Sequence, residues 1–127
     1  MAKTASEMVG EARAEVEGLT PEQVAAELEH GAVLVDLRDT PELEASGRIP
    51  GSVHVPRGML EFRADPTSSY HEAALDPGKR VILHCASGGR SALAARTLRE
   101  LGYGDVAHLD GGITAWAEEG MPVDRDV

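Results

Sequence analysis

Residues 80–93, RVILHCASGGRSAL, carry the clearest structural pattern in this chain and hold its single cysteine. Residues 81–83 form an unbroken aliphatic run, which is typical of a parallel strand covered on both faces. The glycine pair that follows allows the backbone to turn sharply. A helix is predicted to resume at Ser91, whose hydroxyl can cap it. The pattern predicts a strand, a tight loop and a helix, with Cys85 where the strand ends.

The loop that follows Cys85 is predicted to form an anion cradle. Unpaired N–H groups at a helix N-terminus carry a partial charge of roughly +0.5, and Arg90 adds a full positive charge. Such surroundings favour the thiolate, which is the nucleophilic form of cysteine. The alternative is that Cys85 is a small buried hydrophobe. We favour the nucleophile because a structural cysteine needs neither a glycine-built loop nor an arginine at its edge.

Composition limits the partners of the protein. The 127 residues suit one domain, and 22 acidic against 12 basic residues give a net charge of −10. This charge argues against nucleic acid and anionic membranes as partners. A single cysteine excludes an intrachain disulfide and a cysteine-rich zinc site, and it suits a reducing compartment. With no signal-peptide pattern and no apolar run near the roughly 18 residues that span a bilayer, a cytoplasmic protein is expected.

The five histidines are scattered along the chain, and none has metal-ligand spacing to another. His84 adjoins Cys85, but consecutive strand residues point to opposite faces, so it is predicted to be a poor base for that thiol. We interpret most of the five as surface or structural residues. The sequence therefore predicts neither a metal nor a cofactor.

The rest of the chain alternates helical and strand patterns. An amphipathic helix is predicted first, and later helices begin at Thr20 and Thr40 with a cap-then-proline signal. The predicted helices cover 6–17, 20–31, 40–47, 57–62 with Met59, Leu60 and Phe62 toward the core, and 91–101; the other predicted strands cover 32–38, 53–55 and 106–109. This order predicts an α/β fold with a mostly parallel central sheet flanked by helices on both faces.

Polar residues end the strand at 32–38. Ligands of open parallel sheets bind beyond the carboxyl ends of the strands, so Asp36 and Arg38 are expected on the same side as Cys85. We favour a structural ion pair that fixes the neighbouring loop over a direct chemical role. Arg57 and the loop at 64–75 are candidate rims of the pocket, although a solvated loop is the favoured interpretation.

The cysteine loop and several other segments of the chain resemble those of the rhodanese-like family. In that family the active-site loop runs from a cysteine ending a strand to an arginine or similar residue opening a helix, here Cys85 to Arg90. The Asp36-x-Arg38 pair, the Pro50-Gly51 turn and the closing Gly111-Gly112-x-x-x-Trp116 segment are similar to the family's. Arg48 stands where the family has a histidine, and Ser52 where it has an alanine, so no catalytic role is assigned to Arg48. The resemblance covers residues 19–122, leaving an N-terminal amphipathic helix or extension at 1–18 and a polar tail at 123–127.

The length of the cysteine loop separates this resemblance from a related one. Protein tyrosine phosphatases place five residues between the cysteine and the arginine, whereas this chain has four. A shorter loop fits a smaller atom, which in the rhodanese-like family is the outer sulfur of a cysteine persulfide.

The resemblance implies a single-domain sulfurtransferase that works by covalent ping-pong transfer. It moves a sulfane sulfur from a donor such as thiosulfate onto Cys85 and then to cyanide or a thiol. The implied partners are a small sulfur-containing anion or thiol and a protein sulfur acceptor, with the chain a monomer or a homodimer. The residues implied to bind the persulfide are Ala86, Ser87, Gly88, Gly89, Arg90 and Ser91, supported by Asp36 and Arg38.

Two alternatives remain. Many rhodanese-like domains are non-catalytic binding or regulatory modules, although these often lack the cysteine. A small phosphatase or arsenate reductase is disfavoured by the loop length. Ala86 also stands where many members carry a basic or polar residue, so thiosulfate is expected to be a poor donor.

Overall fold

A computed structural model describes residues 2–126. The chain forms a five-stranded sheet in the order β1-β5-β4-β2-β3, with every neighbouring pair parallel. The strands are β1 (Glu17–Leu19), β2 (Val33–Asp36), β3 (Val53–His54), β4 (Val81–His84) and β5 (Val106–Leu109). The helices are α1 (Ala5–Glu15), α2 (Pro21–Glu29), α3 (Thr40–Ser46), α4 (Leu60–Ala64), α5 (Gly89–Glu100) and α6 (Gly112–Glu118), with a 3-10 turn at Arg57–Met59. Across residues 2–126, no helix combines the length and apolar character that crossing a membrane requires.

The core consists of two hydrophobic clusters on opposite faces of the sheet. On β4, Val81 and Leu83 belong to the cluster that includes α4 and α5, whereas Ile82 belongs to the cluster that includes α2 and α6. All three are fully buried. Burial of one aliphatic side chain contributes roughly 1.5–3 kcal/mol. The central strand that leads to Cys85 is therefore held firmly from both sides, and the predicted α/β class is confirmed.

The edge strand β1 is the element that the sequence does not predict. It has three residues, and it pairs with β5 through contacts such as Gly18 with His108. A three-residue strand containing glycine carries too little alternation or β-branching to show in the sequence. The helix predicted over 6–17 is correspondingly too long, since α1 ends at Glu15 and Glu17 lies in β1.

The starts of α2 and α3 follow the predicted cap-then-proline signals, with a shift of one residue at α3. Thr20 and Gln23 form the predicted capping box at the start of α2. At α3 the capping position is Asp39, not Thr40, and the Asp39 backbone N–H donates to Glu42 Oε2 at 2.8 Å. The side chain of Glu42 is thereby held at the start of α3.

The segment around α4 corrects one core assignment. Leu60 is fully buried as predicted, but Phe62 is 54% exposed. Leu60 and Ala64 are four residues apart and share the inward face of α4, which places Phe62 on the other side of the helix. The prediction that Phe62 points to the core was wrong.

The chain end pairs with the segment after α3. Gly47 has a φ of 77°, and a Cβ atom there would lie 2.7 Å from the Asp124 carbonyl oxygen. The backbones of Arg48 and Asp124 exchange two hydrogen bonds of 2.8 Å. Glycine is therefore required at position 47, both by its conformation and by this close approach.

Candidate active site

Cys85 follows the last residue of β4, at the carboxyl edge of the sheet. Its side chain is 1% exposed, and the Gly88 N–H donates to Cys85 Sγ across 3.2 Å. Ala86 is half-buried and Ser87 is exposed, so the loop meets solvent through these two residues. The sequence predicts that the amides of 86–91 all converge on the sulfur. Within residues 2–126, Gly88 supplies the only backbone hydrogen bond to Sγ itself. Fewer backbone amides therefore donate to this atom than predicted.

The loop enters α5 two residues earlier than predicted. Gly88 has a φ of 111°, in the left-handed region that favours glycine, and α5 begins at Gly89. Ser91 is therefore the third residue of the helix and does not cap it. Its hydroxyl lies 3.7 Å from Cys85 Sγ and donates to the Gly88 carbonyl at 3.1 Å. The serine predicted to be a cap instead faces the sulfur.

Helix α6 fixes the first part of the loop. The Ile113 N–H donates to the Cys85 carbonyl at 3.0 Å, and the Thr114 N–H donates to the Ala86 carbonyl at 3.1 Å. A Cβ atom on Gly112 would lie 2.5 Å from both of these carbonyl oxygens. The predicted glycine turn before α6 is thus confirmed, and it allows the helix to pack directly on the loop backbone.

Helix α1 packs against the other part of the loop. A Cβ atom added to Gly89 would contact Val9 Cγ2 at 3.7 Å, and one on Gly88 would lie 3.0 Å from Arg13 Nη2. The Arg13 guanidinium is about half exposed, and its Nε is 3.8 Å from the carboxylate of Asp110. The N-terminal helix, to which the sequence assigns no function, thus brings a cation to the rim of the loop.

Arg90 is held by an acidic partner on α3. Its guanidinium donates two hydrogen bonds to Glu42, of 2.9 and 2.8 Å. The hydrogen bonds from Arg90 lower the pKa of Glu42 to about 2, against a smaller opposing effect of burial. Such a bidentate pair fixes the planar guanidinium. Arg90 therefore braces the start of α5 against α3, and its charge is largely compensated by Glu42.

Asp36 and Arg38 form the predicted ion pair in full burial. Arg38 donates to the Asp36 carboxylate through Nε at 3.0 Å and Nη2 at 2.7 Å, and Nη2 also donates to the Gly47 carbonyl at 2.8 Å. Burial raises the pKa of Asp36, but the hydrogen bonds from Arg38 and the nearby positive groups outweigh it, and the net shift is downward. The pair joins the end of β2 to the end of α3, and neither side chain hydrogen-bonds the sulfur.

His84 lies beside this ion pair. Its Nε2 is 3.6 Å from Asp36 Oδ2 and has no hydrogen-bond partner within residues 2–126, while its Nδ1 is 3.2 Å from the Cys85 carbonyl oxygen. Burial lowers the pKa of His84. Among the described residues, its ring makes no hydrogen bond to the Cys85 sulfur. The residues described also contain no cluster of three or more histidine, cysteine or carboxylate side chains able to hold a metal ion.

The sequence analysis missed His108. This residue is 1% exposed on β5, and its Nδ1 lies 2.9 Å from Ser91 Oγ, the hydroxyl that faces the sulfur. The missing information was the parallel pairing of β4 with β5, which places the ends of both strands at the same edge. The one available signal was a polar residue inside the apolar strand at 106–109.

Residues 20–119 match the rhodanese-like domain family. Thiosulfate sulfurtransferase GlpE of Pseudomonas syringae is 38% identical over 102 residues, covering 80% of this chain and 88% of the relative. A solution structure of the polysulfide-sulfur transferase homodimer of Wolinella succinogenes superposes with a TM-score of 0.76 at 34% identity, covering 92% of this chain and 84% of the other.

A further structure resembles the chain over nearly its whole length. It is a protein of unknown function from Rhodopseudomonas palustris, described as a possible tyrosine phosphatase, with a TM-score of 0.90 and 40% identity over 98% of this chain and 96% of the other. The extent of the family match, together with the cysteine loop and the parallel sheet, confirms the resemblance predicted from the sequence. The chain belongs to the rhodanese-like domain family.

Proposed function

We propose that the protein is a sulfurtransferase that carries sulfane sulfur as a persulfide on Cys85. The observation that supports this best is the placement of Cys85 Sγ, 3.2 Å from the Gly88 amide and 3.7 Å from the Ser91 hydroxyl, in a loop four residues long before Arg90. Both neighbouring groups can stabilise negative charge on sulfur. The relatives named sulfurtransferase and thiosulfate sulfurtransferase fit the same activity.

The reaction has two displacement steps. The Cys85 thiolate attacks the outer sulfur of the donor, a new S–S bond forms, and the donor fragment leaves with the electron pair of its broken bond. With thiosulfate the leaving fragment is sulfite. Cyanide or a thiolate then attacks the outer sulfur of the persulfide, and the Cys85 thiolate is released. Each step moves negative charge near the loop amides of 86–91, where donors that are already oriented stabilise it without reorganisation.

Arg90 acts in this proposal by holding the loop in shape. The sequence left it either of two roles, steadying the loop or the departing sulfite. Its bidentate pair with Glu42 favours the first role, because a compensated guanidinium attracts an anion weakly. Ala86 brings no charge to the loop either. We therefore propose that thiosulfate is a poor sulfur donor. A neutral donor, or the persulfide of a small thiol, is the favoured one.

The catalytic unit in this proposal is residues 19–122. The extension at 1–18 adds β1 to its sheet and places α1 on the cysteine loop, and the tail at 123–127 pairs with Arg48 through Asp124. A protein sulfur acceptor is a suitable second substrate, and relatives described as a sulfur carrier protein and as a homodimer fit a protein partner or a second copy. We place the protein in the cytoplasm, because transfer through a single thiol requires that thiol to be kept reduced.

Intact mass spectrometry tests the function. We expect wild-type protein treated with polysulfide to gain the mass of one sulfur atom and to release it as thiocyanate when cyanide is added. Cys85→Ser should stay folded, since the side chains are nearly the same size, and should neither gain the sulfur nor form thiocyanate. An unmodified wild-type protein would instead favour the non-catalytic binding module, and equal activity in Cys85→Ser would remove Cys85 from the mechanism.

A phosphatase is the second candidate, because the Rhodopseudomonas palustris protein is described as a possible tyrosine phosphatase. Only four residues separate Cys85 from Arg90, which leaves little space for a phosphate group. We expect no hydrolysis of p-nitrophenyl phosphate by the wild type. Insertion of one glycine between Gly89 and Arg90 should lower sulfur transfer. Hydrolysis by the wild type, with no persulfide formed, would favour the phosphatase.

A further inference from the structure

Three buried side chains from three different elements form a line that ends at the reactive sulfur. Cys85 comes after β4, Ser91 from α5 and His108 from β5, and each is at most 1% exposed. The distance from Cys85 Sγ to Ser91 Oγ is 3.7 Å, and from Ser91 Oγ to His108 Nδ1 it is 2.9 Å. Buried polar groups of this kind are costly unless they are satisfied, so the arrangement needs an explanation.

The single hydroxyl hydrogen of Ser91 limits what the line can do. Ser91 Oγ has three polar neighbours: the Gly88 carbonyl at 3.1 Å, His108 Nδ1 and Cys85 Sγ. While Cys85 is a thiol, its S–H can donate to Ser91 Oγ, and Ser91 can donate to Gly88. Once the thiolate forms, Sγ becomes an acceptor, and Ser91 can stabilise it only by turning its hydrogen toward sulfur. That turn is possible only if the hydrogen is not already used on His108.

The tautomer of His108 decides this. With the hydrogen on Nδ1, the imidazole donates to Ser91 Oγ and leaves the hydroxyl hydrogen free for sulfur. With the hydrogen on Nε2, the bare Nδ1 accepts that hydroxyl hydrogen, and the thiolate loses its donor. Nε2 lies beside Gly18 of β1, where a Cβ atom would be 3.7 Å from it.

The groups that face His108 favour a neutral ring. Burial lowers its pKa, the nearby Asp110 carboxylate opposes this, and Arg13 on α1 adds to the lowering. A neutral ring with its hydrogen on Nδ1 is a donor to Ser91, and a protonated ring would keep that hydrogen. With its hydrogen on Nδ1, the ring therefore donates to Ser91 in either charge state.

We propose that His108 is a positioning residue for Cys85, whose Nδ1–H holds Ser91 Oγ so that the serine hydroxyl can donate to the cysteine thiolate. This inference rests on the proposed function in one respect, that Cys85 is the nucleophile. No proton passes through His108 during sulfur transfer. Its effect is on the fraction of Cys85 that is thiolate.

The test is the pH dependence of iodoacetamide alkylation of Cys85 in the whole protein. The pH at which the wild type reaches its half-maximal rate is the midpoint with which the variants are compared. His108→Leu keeps the approximate shape but removes the donor that orients Ser91 Oγ, so the serine hydrogen stays on the Gly88 carbonyl and does not reach the sulfur. The midpoint should then rise by about one pH unit, the size of one hydrogen bond to a charged group. His108→Asn has the same shape as leucine and restores an N–H, so its midpoint should stay near that of the wild type.

Ser91→Ala should raise the midpoint as much as His108→Leu does. The double variant should raise it no further, because both changes interrupt the same hydrogen-bond chain from His108 through Ser91 to Cys85. The proposal is overturned if His108→Leu leaves the midpoint unchanged, if leucine and asparagine shift it equally, or if the double variant is additive. If leucine at 108 prevents folding, nitrogen NMR of the wild-type ring decides, since a hydrogen found on Nε2 overturns the proposal and one found on Nδ1 supports it.

Alkylation needs no sulfur donor or acceptor, so the two proposals can fail separately. A protein that forms no persulfide but shows the leucine-specific midpoint shift retains the role of His108 and loses sulfur transfer. A protein that forms a persulfide with equal midpoints in all variants retains sulfur transfer and loses the role of His108.

Discussion

The two sides of the cysteine loop differ in how they use polar residues. We call the residues toward β2 the β2 side (Asp36, Arg38, Glu42 and Arg90) and those toward β5 the β5 side (Ser91 and His108). The β2 side is made of ion pairs, one fully buried and one partly exposed, and none of its members hydrogen-bonds the sulfur. The β5 side carries a hydroxyl and an imidazole, and it reaches the sulfur through Ser91. The ion pairs of the β2 side therefore hold the shape of the loop, while the neutral hydrogen-bonding groups of the β5 side reach the sulfur.

The two buried histidines show the same division. His84 and His108 lie on neighbouring parallel strands, and burial lowers the pKa of both. His84 adjoins Cys85 in sequence, yet its ring faces Asp36. His108 is distant in sequence, yet it connects to the sulfur through one serine. Consecutive residues of one strand point to opposite faces of the sheet, whereas paired residues of neighbouring strands point to the same face. His108 pairs with Leu83, two residues before Cys85, and so lies on the face of the sulfur.

The largest effect should come from the buried ion pair. Arg38→Met leaves the Asp36 carboxylate buried without its partner, and the free energy of unfolding measured in urea should fall by about 3–5 kcal/mol. Arg57→Met is a matched control, because Arg57 pairs with Glu61 on the surface at i,i+4 spacing, where such pairs contribute about 0.3–0.5 kcal/mol. Equal losses in the two variants would mean that the β2 side does not stabilise the fold as its burial implies.

Substitutions in the ion pair of Arg90 and Glu42 should shift the alkylation midpoint less than His108→Leu does. The two substitutions should shift it in opposite directions. Arg90→Ala leaves the negative charge of Glu42 near the loop, so the alkylation midpoint should move up. Glu42→Gln removes that charge and leaves Arg90 positive, so the midpoint should move down. Both shifts should be less than about one pH unit, because the pair is partly solvated. Movement in the same direction would show that these residues act only through the shape of the loop.

The ion pair of Glu42 and Arg90 should also make a small, pH-dependent contribution to the free energy of unfolding. The pKa of Glu42 is about 2 in the folded chain against an ordinary 4.5, so its contribution is complete above 4.5 and is lost as the pH falls toward about 2. The ion pair should contribute no more than about 1 kcal/mol to the free energy of unfolding, because its side chains are partly exposed. Urea unfolding of the wild type and Glu42→Gln should therefore differ at neutral pH, and the gap should narrow below pH 4.5 and close at a pH of about 2. A gap that does not narrow would assign the lost stability to another carboxylate.

The smallest effect should come from the other histidine. His84→Leu, the same substitution on the neighbouring strand, should leave the alkylation midpoint at the wild-type value, because the His84 ring makes no hydrogen bond to Cys85 Sγ within the described residues. The measurement is the same alkylation profile used for His108. An upward shift equal to that of His108→Leu would erase the distinction between the two sides of the loop.

Sequence alone determined the architecture and the position of the candidate nucleophile. Apolar runs such as 81–83, the cap at Thr20 and the glycine turn at 111–112 are local signals, and each has the same physical consequence in any surrounding fold. The placement of Cys85 after a buried strand and before a glycine loop follows from these local signals. The short strand β1 and the orientation of Phe62 did not follow, because a neighbouring strand and the phase of a short helix decide them.

Tertiary contacts determine which side chains meet at the loop. Arg90 is compensated because α3 delivers Glu42 to it from 48 residues away, and Ser91 meets His108 because β4 and β5 pair in parallel. Neither contact has a signature along the chain, since both depend on strand order and on where α5 begins. A helix start two residues earlier turned Ser91 from a predicted cap into the neighbour of the sulfur. Helix periodicity sets the direction of each side chain from that starting point, so a small shift in the boundary changes what the residue contacts.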